Sequence, residues 1–155
     1  MADREREATY LAEDRMARVA RNGAPMVVGG RLVSVEPDVK FTALSEAGLF
    51  CTLTCLELGL PPVDVRLRRG ESTSHYSPGH GGGTAEIALA SWGAWRSVVL
   101  HELAHHVLAS RGDSEVEAHG SEFRRAHLDL LVHVGLARQA QELERMFTEA
   151  GLRLA

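Results

Sequence analysis

Cysteine is scarce in this sequence: Cys51 and Cys55 are the only two, four positions apart in an apolar stretch. That excludes a disulfide framework. With no second Cys or His pair beside them, they read as buried small hydrophobes rather than half of a metal site. Long apolar runs are also missing. No window approaches the roughly 18 consecutive apolar residues of a membrane span, so no membrane partner is expected. The opening run, Met1-Ala-Asp-Arg-Glu-Arg-Glu7, is charged and lacks the apolar centre of a secretory signal, so a cytoplasmic location is the expectation. Positive charge is not in excess. The net charge of -4 gives no general attraction for nucleic acid or anionic lipid, with Arg66, Arg68 and Arg69 as a local exception. Lysine is nearly absent, Lys40 standing alone among 17 basic residues, which reads as codon bias and carries no function.

What remains is the profile of a globular protein, 45% hydrophobic and 25% charged. A chain of 155 residues is long enough to bury a core without staples. No internal repeat, low-complexity tract or linker divides it, so a single domain over residues 1–155 is expected.

Apolar positions at Ala8, Leu11, Ala12, Met16 and Val19 predict an amphipathic helix over residues 3–21, stopped by Asn22-Gly-Ala-Pro25. A short strand is expected at 31–35 and a second helix at 41–60, ended by Gly59 and Pro61-Pro62. Val63 to Arg68 alternates apolar and polar residues and predicts a half-buried strand exposing Asp64, Arg66 and Arg68. A brief strand around His75-Tyr76 precedes a glycine-rich run, 77–83, that lacks the Lys-Ser/Thr ending of a phosphate loop and suits a mobile hairpin tip. Thr84 to Ala90 reads as a strand with Ala85, Ile87 and Leu89 on one face. A helix from Trp92 or Trp95 to Ser110 carries the stripe Val99, Leu100, Leu103, Ala104, Val107 and Leu108, with Gly112 at its end. Two C-terminal helices follow, one through Phe123 to Val134 and one at 137–150.

The chemistry is concentrated in His101-Glu-Leu-Ala-His105, inside the best-patterned helix. Histidines at i and i+4 stand one turn apart, about 6 Å along the axis and about 40° around it, so both imidazoles can converge on one zinc ion. Glu102 lies on the same side, placed to take a proton from a zinc-bound water and return it to a leaving amine. Shuffling would create this pattern in roughly 4 of 100 such chains, so its context has to carry the argument. That context is a helix after an apolar strand, followed by His119-Gly120.

Catalytic zinc takes a third protein ligand. The extended metzincin spacing fails, because Leu108 and Arg111 stand where Gly and His are required. His119, at the start of the next helix after a reversing loop, is the first candidate; Glu115 and Glu117 are the carboxylate alternatives.

These residues resemble the HExxH zincins with a distal His-Gly-x-x-Phe element, the pattern of SprT-like metallopeptidase domains, written here as His101-Glu-Leu-Ala-His105 and His119-Gly-Ser-Glu-Phe123. A closer resemblance is to a family of small bacterial HExxH metallohydrolase-like proteins. It covers most of the chain, including Val65-Arg-Leu-Arg-Arg-Gly70, His75-Tyr76 and Val99-Leu-His-Glu-Leu-Ala-His-His106. The resemblance implies a zincin-like fold, one zinc on His101, His105 and His119, and Glu102 as general base. It does not supply a substrate. Larger SprT-like proteases act on DNA-linked proteins, but their zinc-binding cysteine modules are missing here and nucleic acid is not expected as a partner.

Other residues carry weaker claims. His106 points about 100° away from His105 and reads as a surface or partly buried side chain, with a supporting role in reserve. Tyr76 packs beside the sheet or donates to a tetrahedral intermediate. His75 and His80 read as exposed, His127 as a satisfied core histidine, and Trp92 and Trp95 as anchors for the catalytic helix. The expected fold is α+β: a small, mainly antiparallel sheet with an N-terminal helix, an active-site helix crossing it, and C-terminal helices. Residues 84–90 would form its edge and pair with an extended peptide, which makes a peptide or protein substrate the first expectation. A zinc-bearing binding module and a small-amide hydrolase are the rivals.

Overall fold

A computed structural model describes residues 3–70, 73–79, 81–92, 94–112 and 116–155. The chain is α+β and forms two compact units, residues 1–38 with 115–155, and residues 39–114. No helix among the described residues is long and apolar enough to cross a membrane.

The first unit joins the two ends of the chain. It contains α1 (Arg6–Arg21), β1 (Met26–Val28), β2 (Arg31–Val33), α4 (Ser121–His133) and α5 (Ala137–Glu149). Helix α1 buries Thr9, Ala12, Met16, Val19 and Ala20, the three-and-four spacing of one helical face. It packs on α5, which in turn packs on α4. Phe123 and Phe147 are fully buried in this core, each stabilising it by roughly 2–3 kcal/mol. Strands β1 and β2 form an antiparallel hairpin that pairs Met26 with Val33. Arg31 ties β2 to α5 through a two-pronged contact with Glu142, at 2.7 and 3.1 Å. The sequence predicts a strand at 31–35; β2 ends at Val33, and its equally short partner β1 has no predicted counterpart.

The second unit holds α2 (Leu44–Leu58), β3 (Val63–Arg68), β4 (His75–Ser77), β5 (Ala85–Ala90) and α3 (Arg96–Ser110). Helix α2 ends where expected, with Gly59 at φ 66°, a left-handed conformation open to glycine without strain. The Leu60 N–H then returns to the Cys55 carbonyl at 2.9 Å. The sheet order is β3–β5–β4, with β3 parallel and β4 antiparallel to β5. This corrects one expectation: residues 85–90 are the central strand and not the edge. The reason is visible in their burial, since Ala85, Ile87, Ala88, Leu89 and Ala90 are all covered, filling both faces of the sheet. A strand with one wet face would alternate.

Helix α3 packs on β4, β5 and α2. Its first turn is set by backbone contacts from residues 39–41. Arg96 N–H donates to the Val39 carbonyl and Phe41 N–H to the Ala94 carbonyl, each at 2.8 Å. Trp95, the residue before the helix, pairs with Lys40 and lies under its ammonium group, whereas Trp92 is 49% exposed. Trp95 thus anchors the start of the helix, as expected. In the β4–β5 connection, a Cβ on Gly79 would collide with the Gly83 carbonyl, so the loop closes only with glycine there.

Candidate metal centre

In the second unit, His101, Glu102 and His105 all lie on α3. Val99, Leu100, Leu103, Ala104 and Leu108 bury the helix, and within that stripe His101 and Glu102 are buried while His105 is half-buried. The ring centroids of His101 and His105 are 5.0 Å apart, edge to face. Each offers a ring nitrogen within 4.8 Å of the other, so this pair could hold a metal ion. Two nitrogens on a tetrahedral zinc, each at about 2.0–2.1 Å, stand about 3.4 Å apart, inside that limit. The expected convergence of His101 and His105 on one helix face is therefore present. Glu102 belongs to the same turn and is 5% exposed, a carboxylate carried into a low-dielectric environment.

His106 departs from its expected place. It is 2% exposed, with Nε2 2.7 Å from the Pro61 carbonyl and Nδ1 2.8 Å from the Tyr76 hydroxyl. The Tyr76 ring lies nearly parallel to His105, 14° between planes, with centroids 6.3 Å apart. Burial pushes the Tyr76 hydroxyl up to about 12, with the neighbouring Cys55 adding to the shift. Arg66 and Arg68 behave as a strand face, Arg66 pairing with Glu86 at 2.6 Å and Arg68 donating to the Thr73 carbonyl.

In the first unit, His119 is buried just before α4. Its ring is held on three sides. Nδ1 lies 2.6 Å from an Asp3 carboxylate oxygen, and the rings of Tyr10 and Phe123 each stand 5.0 Å from its centroid. Its carbonyl accepts from Arg124 at 2.7 Å and from the Thr9 hydroxyl at 3.2 Å. Arg124 is fully buried and also reaches Glu5 and the Arg153 carbonyl, so one guanidinium joins α1, α4 and the C-terminal tail. Glu117, a carboxylate alternative for the third ligand, accepts a hydrogen bond from the Arg4 backbone N–H. Glu115 and His80 lie outside the described residues. His127 is a buried histidine, as expected, with its Nδ1 3.2 Å from Glu13.

Asp3 is the residue that sequence reasoning misses. It stands in a charged N-terminal run with no motif, 116 positions from the histidine it holds. No local signal marks it, because the pairing is made only when α1 folds against α4's leading segment.

Comparison with family models, with curated proteins and with solved structures found no match for this chain. Its functional reading therefore stands on side-chain chemistry.

Proposed function

We propose that the protein is a zinc-dependent hydrolase, with peptide bonds as its first substrate class. The observation that carries this reading is the His101–His105 pair on one face of α3 with Glu102 buried in the same turn. For the third ligand the proposal takes His119. A carboxylate on one ring nitrogen fixes the tautomer and orientation of a ligating histidine and raises the basicity of the other nitrogen, and Asp3 stands in that relation to His119 Nδ1. Glu117, the described carboxylate alternative, accepts from the Arg4 backbone N–H, which leaves His119 the stronger choice.

Zinc held by these residues would supply a Lewis acid and lower the pKa of a bound water to about 7. Glu102 accepts a proton and later delivers it to the leaving amine, a role for which its place one residue from His101 and three from His105 suits it. The hydrophobic stripe of α3 shields this turn from bulk water and strengthens each charge interaction there. The edge strand beside α3 is β4, three residues long, and an extended peptide would pair there rather than on β5.

The test is metal content together with turnover. The purified protein should hold about one zinc, and His101→Ala or His105→Ala should lower occupancy sharply. Glu102→Gln should keep zinc and fold while cleavage of a mixed peptide pool, read by mass spectrometry, falls by about 10²-fold or more. Equal cleavage by the wild type and Glu102→Gln would remove Glu102 from the mechanism. Full zinc retention by both histidine variants would end the metallohydrolase reading.

A further inference from the structure

The region around Pro61, Tyr76 and His106 supplies a second inference, which rests on the proposed ligand role of His105. A carbonyl oxygen only accepts, so the 2.7 Å contact makes His106 Nε2 the donor to Pro61. In the neutral imidazole Nδ1 is then the acceptor, and the Tyr76 hydroxyl, 2.8 Å away, donates to it. The proton of Tyr76 is thereby committed to His106 and is not offered to a reacting carbonyl. Of the two sequence readings of Tyr76, this hydrogen bond favours packing beside the sheet over donation to an intermediate.

The tether also has direction. Pro61 sits between α2 and β3, in a Pro61-Pro62 pair whose fixed φ values stiffen the backbone. Tyr76 is the middle residue of β4, paired with Ile87 of the central strand. His106 spans these two rigid points from α3. The outcome is a phenol ring pinned nearly parallel to His105, the one half-buried histidine of the motif. We propose that Tyr76 and His106 are positioning residues: the Pro61–His106–Tyr76 chain fixes the Tyr76 ring against His105 and so orients that imidazole for the metal.

Cobalt(II) is the probe, since its visible absorption reports ligand geometry directly. Tyr76→Phe removes the tether but keeps the ring, and His106→Leu removes it from the other side. Each should weaken cobalt binding by about 10-fold and alter the band shape, the scale typical of partners that orient a metal ligand. His106→Gln, which keeps a donor for Pro61 and an acceptor for Tyr76, should lie closer to the wild type. Thermal unfolding checks that each variant is folded, and if His106→Leu is not, Tyr76→Phe carries the test alone. Folded Tyr76→Phe protein with wild-type cobalt affinity and spectrum overturns the positioning role while leaving the metal reading intact. A wild-type protein that takes up neither cobalt nor zinc overturns both, so the two failures are distinct.

Discussion

The Nδ1 atom of His119 lies 2.6 Å from a carboxylate oxygen of Asp3, joining the first described residue of the chain to the start of α4. If His119 is a ligand, Asp3 sets which nitrogen faces the metal. Asp3→Ala should lower zinc affinity by about 10-fold or more, measured by competition with a chromophoric chelator. His119→Ala should lower it further, and Glu117→Ala should leave it unchanged. Wild-type affinity in His119→Ala, with loss in Glu117→Ala, would transfer the ligand role to the carboxylate.

The two cysteines provide a prediction independent of any metal. Burial, with the nearby Cys55 adding to it, pushes the Cys51 thiol up from 9.0 to about 12, and burial also raises Cys55. Native protein near pH 8 should therefore react with thiol reagents only as fast as it opens, and urea should release both thiols together. The sign of the pH effect follows from the raised value. The folded state keeps the Cys51 proton after the unfolded chain has lost it, so this contribution is full below about pH 9 and is lost as pH rises toward 12. Cys51→Ala should flatten the alkaline fall in stability, and an unchanged slope would show that another group controls it.

Glu36 caps a helix that begins 101 residues later. Its carboxylate accepts from the backbone N–H groups of Arg138 and Gln139, at 3.0 and 2.8 Å, in the first turn of α5. Burial alone would raise its pKa, but the N–H groups of Arg138, Glu36 itself and Gln139 outweigh it and hold the value below 4.5. Glu36→Ala should cost about 1 kcal/mol in urea unfolding at pH 7, the usual scale for losing such a cap. Because the folded pKa is depressed, the contribution is present above about pH 4.5 and disappears as pH falls through the folded value. The wild type and Glu36→Ala should thus converge in acid. A constant gap across pH would argue for lost packing instead of a lost charge.

The sequence by itself determined what near neighbours in the chain determine. The i, i+4 spacing of His101 and His105, most of the buried stripe of α3, the Gly59 stop of α2 and the place of the strand at 63–68 follow from periodicities of a few residues, although Val107 is only half-buried and Leu67 is exposed where alternation would bury it. Tertiary structure decided what depends on residues far apart. Strand order is one case: Thr84 to Ala90 has the composition of either an edge or a centre, and only pairing on both sides makes β5 central. His106 is another, because a 100° turn away from His105 says nothing of what it meets there, and what it meets is Pro61 and Tyr76. Asp3 against His119 and Glu36 against α5 are bonds between segments more than 100 residues apart. Local conformational preference carries no information about such pairs. They are selected when burial brings polar groups together and leaves each needing a partner.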